Sequence, residues 1–271
     1  MSRVVNNSDQ QILLDFSSRS PQLLVSVSNV NEAESALAGG CDILDIKEPA
    51  RGSLGMADSH VIDEIANHAH FASAESHQSV PVTAALGETL DWQDESPIPQ
   101  LPTDLTYLKL GTAGLANYAD GMQKWKTVRH RFDESAESPF AWVAVGYADW
   151  QRADAPSPAE ILDWAAESGC AGVLIDTFRK DGRTLLDWIS PGELATWIQS
   201  AHQTEMFVAL AGSLKREHLP ELMQCRPDII AVRSAACDSG NRRGPICSEA
   251  TRKLSAALKS MTNASSPAFS Q

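Results

Sequence analysis

Residues 41–55 read Cys-Asp-Ile-Leu-Asp-Ile-Lys-Glu-Pro-Ala-Arg-Gly-Ser-Leu-Gly, and a helix-period segment follows over 58–70. Within it, Ile43-Leu44-Asp45-Ile46-Lys47 is an apolar run of strand length carrying two charges two residues apart. Side chains at that spacing share one face of a strand. With Leu44 and Ile46 turned toward a covering helix, Asp45 and Lys47 point together to the other side. The opposite register would press both charges against apolar helices, at a cost on the order of several kcal/mol. A doubly buried strand, a glycine-containing loop and a helix together make one unit of a parallel sheet.

The same unit recurs on both sides of this stretch. Strand-like runs cover 23–28, 43–47, 80–86, 107–111, 140–146, 172–176, 206–211 and 229–233. Helical periodicity predicts helices over 30–38, 58–70, 117–131, 158–168, 191–204, 215–223 and 248–260. Ser157-Pro158-Ala159-Glu160 and Ser190-Pro191-Gly192-Glu193 each place a cap serine, a first-turn proline and a glutamate at the third helical position. Eight strands alternating with helices close a barrel, so the expected fold is α/β, a single-domain (β/α)8 TIM barrel. Its expected limits are 23–260, between a flexible N-terminal arm (1–22) and a flexible C-terminal tail (261–271). Residues 91–104 contain Pro97, Pro99 and Pro102 and leave little room for a helix. The alternative, a doubly wound sheet, finds no dinucleotide glycine loop here.

Composition excludes several classes of function. The 271 residues are 43% apolar and 21% charged, ordinary for a globular protein, and no stretch of membrane-spanning length is apolar. The net charge of −13, from 22 basic and 35 acidic residues, argues against nucleic acid or anionic membranes as partners. The Asn-, Gln- and Ser-rich N-terminus lacks the form of a secretory signal, so a cytoplasmic location is expected. The five cysteines are spread without a CxxC pair and read as reduced, packed thiols. The histidines fall away from the strand ends, and neither a metal nor another cofactor is expected. A homo-oligomer is compatible with the sequence.

Barrel enzymes carry their chemistry at the C-terminal ends of the strands. Four of the eight lysines lie there: Lys47, Lys109, Lys180 and Lys215. In Tyr107-Leu108-Lys109-Leu110-Gly111 the leucines suit the outer face and leave Lys109 inside. The sixth strand ends at Asp176, followed by Thr177-Phe178-Arg179-Lys180, where Arg179 reads as a loop charge. Asp45, Asp176, Lys47, Lys109 and Lys180 thus converge on one rim. An internal structural salt bridge is the plain reading of Asp45 and Lys47 alone. The whole set suits an imine-forming lysine, which must be neutral to attack a carbonyl although its free pKa is about 10.4. A poorly solvated site and the cationic neighbours Lys109 and Lys180 would lower that value, and the carboxylates would shuttle protons. Gly212 and Ser213 after the seventh strand, and Arg233 and Ser234 after the eighth, occupy the usual phosphate cradle of this fold. Gly52-Ser53-Leu54-Gly55 reads either as a flexible loop that closes over substrate or as a plain turn.

These residues resemble a known family. Asp45-Ile46-Lys47-Glu48-Pro49 with Gly52-Ser53-Leu54-Gly55 is similar to the signature of the (5-formylfuran-3-yl)methyl phosphate synthases of methanofuran biosynthesis. Further matches are the strand around Lys109, Gly146-Tyr147-Ala148-Asp149, Asp176-Thr177 with Lys180-Asp181-Gly182, Ala211 to Lys215, and Val232-Arg233. The resemblance implies a barrel enzyme that joins two molecules of glyceraldehyde 3-phosphate, a sugar phosphate, with loss of phosphate and water. It implies that Lys47 forms the imine, that Lys109 accepts a proton, and that Asp45, Asp176 and Lys180 complete the site. Ser234 departs from the family's usual glycine, and the N-terminal arm and the 91–104 segment are longer than in compact members. A generic class I aldolase, an imine-free decarboxylase and a non-catalytic phosphate-binding barrel are the alternatives. Lys47 is followed by Glu48-Pro49-Ala50, without the further aspartate of the decarboxylase pattern.

Overall fold

A computed structural model describes residues 20–76, 79–92 and 96–265. Eight parallel strands run β1 (Gln22–Val27), β2 (Ile43–Ile46), β3 (Val82–Glu88), β4 (Tyr107–Gly111), β5 (Trp142–Tyr147), β6 (Gly172–Asp176), β7 (Phe207–Leu210) and β8 (Ile229–Val232). They pair in sequence order, and Leu23 of β1 lies opposite Ile230 of β8 to close the barrel. The helices are α1 (Val30–Ala38), α2 (Ser59–Ser76), α3 (Gly121–Glu134), α4 (Pro158–Glu167), α5 (Pro191–Gln203), α6 (Leu219–Gln224) and α7 (Ser248–Ser265). This is the single-domain (β/α)8 barrel that the strand and helix spacing predicts.

The period-two register has a direct physical outcome. Leu44, Ile46, Leu108 and Leu110 are buried in the apolar layer between strands and helices. Ile43, Val143, Leu174, Phe207 and Ile229 fill the barrel interior below the site, with the Tyr107 and Phe207 rings 5.0 Å apart. The caps also form as the sequence pattern predicts. Ser190 Oγ accepts the Glu193 N–H at 3.3 Å, and the Glu193 carboxylate accepts the Ser190 N–H at 2.9 Å. Ser157 and Glu160 repeat this box at α4.

Among the described residues, only a 3-10 turn (Thr89–Asp91) links β3 to β4 before the proline-containing segment. Trp92 stands in for a helix. Its ring packs edge-on against Phe132 at 4.8 Å, and its Nε1–H donates to the Leu86 carbonyl at 2.7 Å. Two helices start later than expected, because 3-10 turns over Leu115–Asn117 and Arg216–His218 precede α3 and α6. Helix α7 runs to Ser265, five residues beyond the expected end and into the 261–271 segment read as a tail. The rest of that segment (266–271) and most of the arm (1–19) lie outside the described residues. All five cysteines are free, four of them buried. No helix among the described residues is long and apolar enough to cross a membrane.

Candidate active site

The C-terminal mouth of the barrel opens into a cavity of about 750 Å³, counting its open end. Asp45, Lys47, Lys109, Asp176 and Lys180 all line it, as do Gly212, Ser213, Arg233 and Ser234. Lys215 is not among the lining residues; it is exposed and lies 3.6 Å from Glu217. Arg179 is exposed and stacks over Phe178, as a loop charge would.

Two carboxylate–lysine pairs flank Lys47. On the strand side, Asp45 accepts hydrogen bonds from Ser26 Oγ and Thr83 Oγ1, both at 2.8 Å, and from Lys109 Nζ. Lys109 also donates to Thr83 Oγ1 at 3.0 Å. Burial would raise the Asp45 pKa, but the adjacent Lys109 and Lys47 charges outweigh it and hold the carboxyl below its ordinary range. On the loop side, Asp176 Oδ1 accepts the Thr177 N–H at 2.7 Å and Lys180 Nζ at 2.6 Å. Its other oxygen accepts Ser53 Oγ–H at 2.8 Å. Burial again pushes upward and is outweighed, here by Lys180 and Lys47, which hold Asp176 at about 2.

Lys47 itself is 7% exposed, and among the described residues no hydrogen bond or ion pair is made by its Nζ. Its pKa falls from 10.5 to about 7. Desolvation is the largest cause, Asp45 and Asp176 oppose it, and Arg242 and Lys180 add to it. The poorly solvated site and Lys180 act as the sequence suggests, Arg242 is an addition to them, and Lys109 is held against Asp45. Near neutrality a large share of Lys47 is the free amine.

Several contributing residues were not singled out for the site in the sequence. Asp149, fully buried, accepts the Phe178 N–H at 2.5 Å and the Arg179 N–H at 3.0 Å. It thereby bends the chain after β6 so that Lys180 turns back onto Asp176. Its motif neighbour Tyr147 donates its hydroxyl to Glu88 at 2.5 Å, beside the cavity. The 52–55 loop is neither open nor a plain surface turn. Ser53 and Leu54 are each 2% exposed, and Ser53 reaches Asp176 across the barrel mouth.

The phosphate-cradle residues divide. Gly212 (φ 104) and Ser213 (φ 52) have left-handed backbones. A Cβ on Gly212 would meet Thr177 Cγ2 at 3.0 Å, so glycine fits both conformation and space. Ser234 opens a 3-10 turn without a left-handed backbone, so its departure from glycine creates no strain there. Arg233, by contrast, spends its guanidinium on protein partners. It pairs with Glu32 through 2.8 Å and 3.0 Å contacts and donates its remaining N–H groups to backbone carbonyls. Among the described residues no cluster of metal-ligating side chains is present.

A family model described as 4-HFC-P synthase matches residues 23–255. A (5-formylfuran-3-yl)methyl phosphate synthase of Methanocaldococcus jannaschii is 34% identical over 245 residues, covering 86% of this chain and 97% of its own length. One from Methanopyrus kandleri is 36% identical over 250 residues, covering 88% of this chain and 99% of its own. Among solved structures, a thiamine phosphate pyrophosphorylase from Pyrococcus furiosus superposes with a TM-score of 0.55 at 15% identity, covering 89% of this chain and 96% of its own, a likeness of fold alone.

Proposed function

The chain belongs to the 4-HFC-P synthase family, and on that premise we propose that it makes (5-formylfuran-3-yl)methyl phosphate through a lysine imine, in methanofuran biosynthesis. Two molecules of glyceraldehyde 3-phosphate enter. The furan leaves together with one phosphate and two waters, which balances the atoms.

The observation that carries this reading is the state of Lys47, a buried amine with a pKa of about 7 and no partner among the described residues. Its lone pair attacks a triose carbonyl carbon, and loss of water gives the imine. The protonated imine draws electrons from the adjacent C–H bond, so a base removes that proton and an enamine forms. The enamine expels phosphate from the carbon next to it, leaving an enol whose terminal carbon bonds to the C2 carbonyl of the second triose in its isomerised ketose form. In this reading the ion pairs Lys109–Asp45 and Lys180–Asp176, which flank Lys47, accept and return the protons. Ring closure with loss of two waters completes the furan, and hydrolysis of the imine releases it and restores Lys47. In this reading backbone N–H groups around Gly212, Ser213 and Ser234, which line the cavity, hold substrate phosphate.

Borohydride reduction in the presence of glyceraldehyde 3-phosphate, followed by peptide mass spectrometry, tests the reading. The expected result is a reduced adduct on Lys47, and an unreduced reaction that yields an ultraviolet-absorbing furan. An adduct on another lysine, or none, rejects the imine assignment. An adduct on Lys47 without a furan product assigns a generic class I aldolase instead.

A further inference from the structure

Among the described residues, every cation at this mouth has a carboxylate of its own except two. Lys109 is paired with Asp45, Lys180 with Asp176 and Arg233 with Glu32. Lys47 is the amine discussed above. The other is Arg242, which sits in the loop between β8 and α7 and lines the cavity. Its side chain donates one hydrogen bond among the described residues, from Nη2 to the Gly52 carbonyl at 3.2 Å, and no carboxylate of the described residues lies within ion-pair distance.

The two arginines differ in what they have left to offer. A guanidinium carries five N–H donors. Arg233 uses all five, on both Glu32 oxygens and on the carbonyls of Ser26, Arg242 and Gly244. It has none for a ligand, and pulling it off Glu32 would strand a buried carboxylate. Two of its acceptors, the Arg242 and Gly244 carbonyls, lie in the loop that carries Arg242, so Arg233 anchors that loop from beneath. Arg242 keeps most of its donors. Its field reaches Asp176, Lys47 and Lys180, which places it over the reacting groups, and burial lowers its pKa. A half-buried guanidinium without a counter-anion is unfavourable until an anion arrives.

We propose that Arg242, and not Arg233, is the arginine that binds substrate phosphate, facing the strand-seven and strand-eight backbone across the cavity mouth. The proposal deepens the functional reading above and rests on it only for the identity of the phosphorylated substrate. An arginine there gives the site preference for phosphorylated aldehydes, because a planar fork matches a phosphate in two parallel hydrogen bonds. The rival role for Arg242 is a latch that merely holds the Gly52 carbonyl.

Two measurements decide between them, on wild type, Arg242→Ala and Arg242→Lys, with circular dichroism melts confirming that each folds. Titration calorimetry with inorganic phosphate reads the site without any chemistry. The expected result is binding by wild type, weakened about tenfold or more in Arg242→Ala and partly kept in Arg242→Lys. Borohydride trapping then compares glyceraldehyde 3-phosphate with unphosphorylated glyceraldehyde. Wild type is expected to prefer the phosphorylated aldehyde, and Arg242→Ala to lose that preference. Equal phosphate affinity in wild type and Arg242→Ala, or no binding by wild type, overturns the proposal. So does equal slowing with both aldehydes, which assigns the latch. Absence of any trapped adduct in wild type would instead count against the imine, while the phosphate titration still judges Arg242.

Discussion

Lys47 and Lys109 enter the same cavity, from β2 and β4, and are 7% and 4% exposed. Their electrostatic situations are opposite. Lys109 is locked against Asp45, with Thr83 bridging the two. Lys47 has no such partner and is left to desolvation, which takes its pKa to about 7. The strands hold a satisfied ion pair beside an unsatisfied amine. Pairing the neighbours away is what leaves one lysine unpaired, and the contrast predicts opposite stabilities when each is removed.

The largest effect is expected at Lys47. Its folded pKa lies below the unfolded value, so between about 7 and 10.5 the unfolded chain binds more protons than the folded one. This group's cost to the fold is therefore fully present below pH 7 and fades as pH rises to 10.5. Lys47→Met should abolish adduct formation and turnover while raising stability at neutral pH, on the order of a few kcal/mol. A melting temperature equal to or below wild type would break the contrast, whatever happened to activity.

Lys109→Ala should do the reverse. It leaves Asp45 buried at 3% exposure without its cation, and removing one member of a buried pair costs about 3–5 kcal/mol. The imine at Lys47 should still form in part, with slow turnover, because the amine survives while the ion pair proposed to move protons is broken. Adding Asp45→Asn should restore much of the stability and none of the turnover. Denaturant titrations beside borohydride trapping separate the two effects. Lys109→Ala with wild-type stability would show the pair to be energetically idle.

How much of this was legible in the sequence depended on the range of the interaction. Period-two alternation was enough to send Leu44 and Ile46 outward and Asp45 and Lys47 inward, because pleat geometry is local. The α4 and α5 starts were equally readable, since a capping box spans four residues. Pairings across the barrel were not. Arg233 and Glu32 are 201 residues apart, and nothing near Arg233 announces that its donors are already used. Arg242 escaped notice for a related reason. It lies in an aperiodic loop with an isolated bridge between Cys237 and Ile246, where no strand end or helix start flags a site. The 52–55 segment was readable as a turn, but its docking onto Asp176 depends on a residue 123 positions away.

The smallest effect sharpens the comparison from the loop side. Asp176 raises the Lys47 pKa, as Asp45 does, while Lys180 and Arg242 lower it. Asp176→Asn removes one upward influence and at the same time frees the Lys180 charge, so both consequences push Lys47 further down. The rate of adduct trapping follows the neutral amine, and in wild type it should rise with pH through about 7. In Asp176→Asn that rise should come at lower pH. Lys180 is 16% exposed on its side chain, against 5% for Lys109, so water can solvate it once its partner is gone. The stability loss should therefore be smaller than for Lys109→Ala. A midpoint that stays in place or moves upward would mean that Asp176 does not act on Lys47 through its charge.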